Sequence, residues 1–457
     1  MKTFLSKTIL LGRATVFTVG LAVTLALAVG AATTALAAAP GDPFKLGKTN
    51  SINRLSSLVG RTAGFMLKVD NNGTGPALDL QVGPSTTPPA NKTVAPMKVD
   101  SQAQVVNLNS DELDGKDSTD FARAYKRTVI VSPIPGDPSA SGTALLAALS
   151  GITGASQDNP YLLKLEPGLY DLGSSPLVMK QWVDIEGSGE GVTTIRRSGS
   201  PNFDTGTVVA ANKSGLSSLT VENTGGATRA TAIWNEGATS FRLAHVTAKA
   251  SGGNTNVGVD NFNASPKITD VVAAASGGSG TNNYGLYNNN SSPTIDDLEA
   301  TASGGDFNCG VCNRNSSSPA MAGVIATASD GSLNYGVSNH GASAPTMTQS
   351  RAFALNGSNN YGVQNTDSSP IILGSTIRAS GGPDSRALTN GNGVVQVDSS
   401  RLVTTPANPT VFSSGSATTK VGASLLDGGS IVNIGSNPIT CAGVYDENYT
   451  FFASTCP

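Results

Sequence analysis

An asparagine returns about every 26 residues through the middle of this chain, at Asn235, Asn261, Asn288, Asn313, Asn339, Asn365 and Asn390. It ends the segments AIWN, GVDN, GLYN, GVCN, GVSN, GVQN and ALTN, and the spacings are 26, 27, 25, 26, 26 and 25. Two other marks keep the same step: Pro266, Pro293, Pro319, Pro345 and Pro370, each after Ser or Ala, and SGG or SDG triplets at Ser251, Ser276, Ser303, Ser329 and Ser380. Three landmarks in one phase mean stacked copies of a small unit that cannot bury its apolar face without neighbours.

A unit this short cannot hold two amphipathic helices, and its Gly, Asn, Ser and Thr leave no helical stripe, which excludes helical solenoids. Runs such as NYGVQN and PIILGSTIRAS alternate with period two between turn residues, as strands do, so one coil holds about three short strands. Like residues recur coil after coil: Ile268, Ile295, Met321, Met347, Ile372; Ala248, Ala273, Ala300, Ala326, Ala352; Ala250, Ala275, Ala302, Ala328, Ala354, Ala379; and Val259, Leu286, Val311, Val337, Val363, Leu388. Such columns predict an all-β parallel β-helix whose strands pair with their own copies at ~4.8 Å, with the asparagines as an inward ladder of bonded amides.

The period, asparagine ladder and aliphatic stacks resemble the right-handed, single-stranded parallel β-helix of the pectin lyase-like superfamily. Upstream, TVIVSPIP, TALLAALSGI, PYLLKLEPGLYDLG and WVDIEGSGEGVTTI resemble the first coils of pectinesterase-type β-helices, where a short helix caps the open end. That resemblance places the capping helix over Thr143 to Ile152, with Ser141 as N-cap and Gly151 near its end. VNLNSDELDGKDSTDF, Val106–Phe121, resembles linkers of phage tail fibres and bacterial surface proteins, which often belong to trimeric stalks.

The flanks divide the chain further. Lys2, Lys7 and Arg13, an apolar run and Ala35-Leu36-Ala37 read as an export signal over 1–37, hence secretion or the cell surface and no membrane contact after cleavage. Short strand candidates fill a small β-rich N-terminal region, 38–128, a candidate homotrimer-forming segment; the β-helix spans 129–400, and a cap with a hairpin spans 401–457. Removing Lys2, Lys7 and Arg13 from the 29 basic residues leaves 26 against 32 acidic ones, which excludes nucleic acid as a partner. Cys441 and Cys456 bracket the last turn and are expected to pair in an oxidising compartment. Cys309 and Cys312 form C-x-x-C, but alternation puts Cys309 inside, with Val257, Tyr284, Tyr335 and Tyr361, and Cys312 outside, so neither a bridge nor a redox role is expected.

Chemistry is harder to find. The aspartate pair and arginine motifs of pectinesterases are absent, and polygalacturonase-like fragments, Asn365-Thr366-Asp367, Asp296-Asp297 and Asn339-His340-Gly341, stand in the wrong order. His245, Asp270 and Asp297 occupy one column, with Asp296 and Glu299 beside them. Carboxylates stacked at ~5 Å could work as a glycosidase pair, making Asp270, Asp297, Glu299 and His245 the catalytic candidates. They could instead bind Ca²⁺ through Asp270, Asp296 and Asp297, the one cofactor in view. The column continues as Gly323, Gln349 and Gly374, which suits a solvated face. A second outward cluster is Arg314, His340 and Asp367. Aromatics are 5% of the chain and the tyrosine column is expected inside, which argues against a sugar cleft. The reading is an exported, non-catalytic β-helix presenting a polar face to polysaccharide or another surface component. Its alternatives are a polysaccharide lyase or hydrolase acting on acidic polysaccharide, and a trimeric fibre or adhesin.

Overall fold

The structure, a computed structural model, describes residues 19, 21–23, 125–198, 205–226, 228–278 and 280–457. The chain divides into two compact units, Met1–Asn109 and Ser110–Pro457. Of the first, residues 19 and 21–23 are described, and they are helical. The rest of the export signal, and the short strands expected between 38 and 124, lie outside the described residues. Among those described, no helix is long and apolar enough to cross a membrane.

From Arg127 onward the second unit winds into a parallel β-helix of about 10 turns. Its strands make two sheets, a back sheet of 22 and a front sheet of 11. Each strand pairs with its counterpart one coil away, Asn261 with Asn288 and Ala273 with Ala300 for example. The aliphatic and inner alanine columns form one continuous buried core. Parallel pairing continues beyond residue 400, through Pro409–Ser414 and Gly429–Asn433 in front and Thr418–Gly422 and Ile439–Ala442 behind. The coils persist there with shorter steps: Ser413 takes the ladder position after Asn390, then Asn433. Among the paired strands of the described residues, only the last pair, Val444–Asp446 with Phe451–Phe452, is antiparallel, and Cys441–Cys456 ties it.

The capping helix is Pro138–Gly151, starting five residues before the expected Thr143, and its N-cap is Asp137 rather than Ser141. Pro138 supplies a preset helical φ, and the Asp137 carboxylate accepts from Ala140 N at 2.9 Å. Ser141 is buried inside the first turns, where its hydroxyl accepts from Ile134 N and donates to Asp137 O.

Asparagine amides run down the interior. Asn235 Nδ2 donates to Asn261 Oδ1 at 3.1 Å, Asn261 to Asn288 at 2.9 Å, Asn288 to Asn313 at 3.0 Å, and Asn313 to Asn339 at 2.9 Å. A second file, not anticipated from sequence, links Asn256, Asn283, Asn308, Asn334 and Asn360 at 2.8 to 3.0 Å and ends on Ser385. Its signal was an asparagine five residues before each of Asn261, Asn288, Asn313, Asn339 and Asn365. Asn313→Ala would strand the Asn288 donor and the Asn339 acceptor, both buried. At about 1–3 kcal/mol for each orphaned group, a loss of roughly 2–6 kcal/mol is expected, read as a lowered urea midpoint at unchanged strand content.

A glycine in the middle of each front strand sets which way its neighbours face. Gly258, Gly285, Gly310, Gly336 and Gly362 press against the back sheet: a Cβ on Gly336 would lie 2.6 Å from Gly362 O, 2.7 Å from Phe353 N and 2.9 Å from Ala352 C. The Cα register skips these glycines, Tyr335 matching Tyr361 and Val337 matching Val363. The strand therefore bends, and the glycine and the valine or leucine after it both face the interior. In Leu333–His340, Asn334, Val337 and Asn339 point in, whereas Tyr335 and Ser338, three residues apart, point out. This bulge-like shift overturns simple alternation.

Candidate functional site

The consequence is an aromatic platform on the outer face of the front sheet. The column Tyr284, Cys309, Tyr335 and Tyr361 was expected inside. Instead these residues join Tyr287, Cys312, Phe307 and Leu333 in a cluster separate from the main core. Ring centroids lie 5.1 Å apart for Tyr284–Tyr287, 5.5 Å for Tyr284–Phe307, 5.3 Å for Phe307–Tyr335 and 5.5 Å for Tyr335–Tyr361. Two coils earlier, Trp234 stacks on Phe262 at 6.3 Å. In Phe307–Arg314 the outward pair is Cys309 and Cys312, and the bend at Gly310 brings their Cα atoms to 6.0 Å, where they form a disulfide. The expected absence of a bridge was wrong because Gly310 shifts the phase of the strand and puts both sulfurs on one face.

Charge on this face is partly neutralised in place. Buried Asp260 is held by Arg229, and Asp384 by Arg386 at 2.7 Å and by the Tyr361 hydroxyl at 2.7 Å. Arg386 also lies 3.8 Å over the Phe412 ring. Arg314 differs: half-buried beside the rings, it has no ion pair or side-chain hydrogen bond among the described residues. Its charge is felt by Tyr284, Tyr287 and Tyr335, whose hydroxyls burial nonetheless pushes above the usual tyrosine value. They stay protonated at neutral pH and are hydrogen-bond donors. His340 is the register partner of Arg314 in the next coil. An unpaired guanidinium framed by protonated tyrosines suits a carboxylate, which it can hold bidentately; Tyr335 is buried in the stack, and the half-buried Tyr284, Tyr287 and Tyr361 leave apolar ring surface for the body of a ligand.

The residues singled out from sequence lie elsewhere. His245, Asp270, Asp297, Gly323, Gln349 and Gly374 are the corner of successive back-sheet coils, with φ between 48 and 64°. That left-handed corner favours Asp and Gly over most side chains, which accounts for the column without a reaction. His245 Nδ1 meets Asp270 Oδ2 at 2.7 Å with both side chains at least 60% exposed. Asp296, Asp297 and Glu299 are exposed. No three His, Cys, Asp or Glu side chains converge as a metal site among the described residues. Arg314 and His340 are adjacent, as their shared phase implied, but Asp367 is taken by Asn392 at 3.0 Å.

The architecture is the parallel β-helix that the repeat implied. No family model matches the chain, and no curated protein does. Among solved structures it is similar to the A-module of the Azotobacter vinelandii mannuronan C-5 epimerase AlgE6, at 13% identity over 67% of this chain and 95% of that one, with a TM-score of 0.41. It is also similar to a pectin methylesterase from Yersinia enterocolitica, at 11% identity over 68% of this chain and 85% of that one, with a TM-score of 0.26. The catalytic domain of a GH87 alpha-1,3-glucanase is similar at 12% identity over 69% and 66%, with a TM-score of 0.31. At such scores these likenesses lend no weight to an activity, and function has to be argued from the site.

Proposed function

We propose that this protein is carbohydrate-active and holds an acidic polysaccharide along the outer face of the front sheet. The observation that carries the reading is unpaired Arg314 among Tyr284, Tyr287 and Tyr335: a cation for a uronate carboxylate next to rings for pyranose faces. The non-catalytic polar-face reading rested on the absent pectinesterase and polygalacturonase motifs and, in part, on the tyrosines being inside, and that second premise has gone. The leader at the N-terminus fits secretion, where such polymers are met. Purified protein is expected to bind polyuronates and to ignore neutral glucans in affinity electrophoresis; equal retardation by both would remove the carboxylate from the argument.

The Arg314–His340 register favours one chemistry. A guanidinium that neutralises a uronate carboxylate makes the proton on the adjacent carbon more acidic, an imidazole one coil away is a base, and a protonated tyrosine hydroxyl can donate to the departing oxygen. Those roles describe a lyase, or an epimerase if the proton returns to the other face. Hydrolysis by a carboxylate pair is less favoured, since Asp260 and Asp384 are both committed to arginines. Unsaturated chain ends in the digest would support elimination; inverted uronates without cleavage would support epimerisation.

A further inference from the structure

The Cys309–Cys312 bridge occupies the middle of the platform. Both sulfur residues are fully buried under the rings, with Tyr284 and Tyr287 as register partners on one side and Tyr335 and Ser338 on the other. The bridge spans the Gly310 bend, and Arg314 stands two residues after Cys312 on the same outer face. No other front strand has a covalent link at this place: the equivalent pairs are Thr231 and Trp234, Val257 and Asp260, Tyr284 and Tyr287, Tyr335 and Ser338, Tyr361 and Gln364, and Arg386 and Thr389. The bridge stands in the coil that carries the unpaired arginine.

We propose that this disulfide is a thiol-sensitive positioning element for the polysaccharide site: closed, it fixes the strand corner that aims Arg314 and seats the neighbouring rings; open, it lets them move. The inference rests on the reading of this face as the ligand site. Opening is a two-electron reduction. The bridge takes up two electrons and two protons to give two thiols, and a small dithiol supplies both and closes to its own disulfide. Losing the link leaves Arg314 and adjoining rings to be ordered by the ligand itself, and each immobilised side chain costs binding free energy. Linkage makes the effect reciprocal: a bound chain that favours the closed state protects the bridge.

The test uses the full-length oxidised protein and a polyuronate, with and without dithiothreitol, the state of each cysteine being read by alkylation and mass spectrometry. Reduction of Cys309–Cys312 is expected to weaken binding about tenfold, the order set by freeing one or two side chains. Saturating polyuronate is expected to slow alkylation of Cys309 and Cys312. A Cys309→Tyr, Cys312→Ser variant copies the Tyr335 and Ser338 of the next coil, so it has a precedent for folding in this register, and its affinity is expected to ignore dithiothreitol. A bridge that stays closed in the folded protein under dithiothreitol, unchanged affinity with the bridge shown to be open, or full dithiol sensitivity in that variant would each overturn the proposal. Failure of the oxidised wild type to bind any polyuronate is a different result, and it would overturn the site reading along with the positioning role.

Discussion

Arg314→Ala is expected to weaken binding of a polyuronate roughly 10- to 100-fold, because a charge-assisted hydrogen bond contributes about 1.5–3 kcal/mol. Thermal stability should hardly change, since the side chain is half-buried, makes no ion pair among the described residues and supports no other side chain by a hydrogen bond. Arg314→Lys keeps the charge but loses the planar fork, so it should recover only part of the affinity. Isothermal titration against the same polymer at two salt concentrations separates the possibilities. A salt-insensitive affinity equal to wild type would show that the anion is bound elsewhere.

Gly336→Ala is expected to damage the fold more than any surface substitution, by about 3 kcal/mol or more. The added methyl would meet backbone atoms of three residues, Gly362, Phe353 and Ala352, within 2.6 to 2.9 Å, and backbone in a packed coil cannot step aside as a side-chain tip can. The front strand would have to move off the back sheet, carrying Tyr335 out of its stack with Tyr361. Chemical denaturation and tyrosine emission report the two effects together. Gly278→Ala is the control: a Cβ there meets nothing within 4 Å, and it should be nearly silent.

Opposite consequences for two glycines of the repeat region show where the sequence stops being informative. The step of about 26 residues, the asparagine ladder and the aliphatic columns specified a coil wound on one axis, because stacking like on like is the one arrangement that buries every copy at once. The Cys441–Cys456 pairing was legible too, from two cysteines bracketing one short hairpin segment. Of the candidate site, Arg314 and His340 were legible as an outward pair, and the aromatic platform and its disulfide were not. Alternation along a strand assumes an unbroken pleat, and that assumption turned Tyr284, Tyr335 and Tyr361 inward and set Cys309 and Cys312 on opposite faces. In the folded coil the strand bends where Gly310 and its counterparts touch the back sheet, and each bend advances the facing pattern by one residue. The period marks that glycine, which opens GVDN, GLYN, GVCN, GVSN and GVQN, but what it touches lies on segments distant along the chain, so the bend was not legible from the repeat. The sequence determined that the chain is a β-helix, which residues form its inner files and that Arg314 and His340 face outward; tertiary contact between the two sheets decided that the tyrosines and the Cys309–Cys312 disulfide came to lie on the outside beside them.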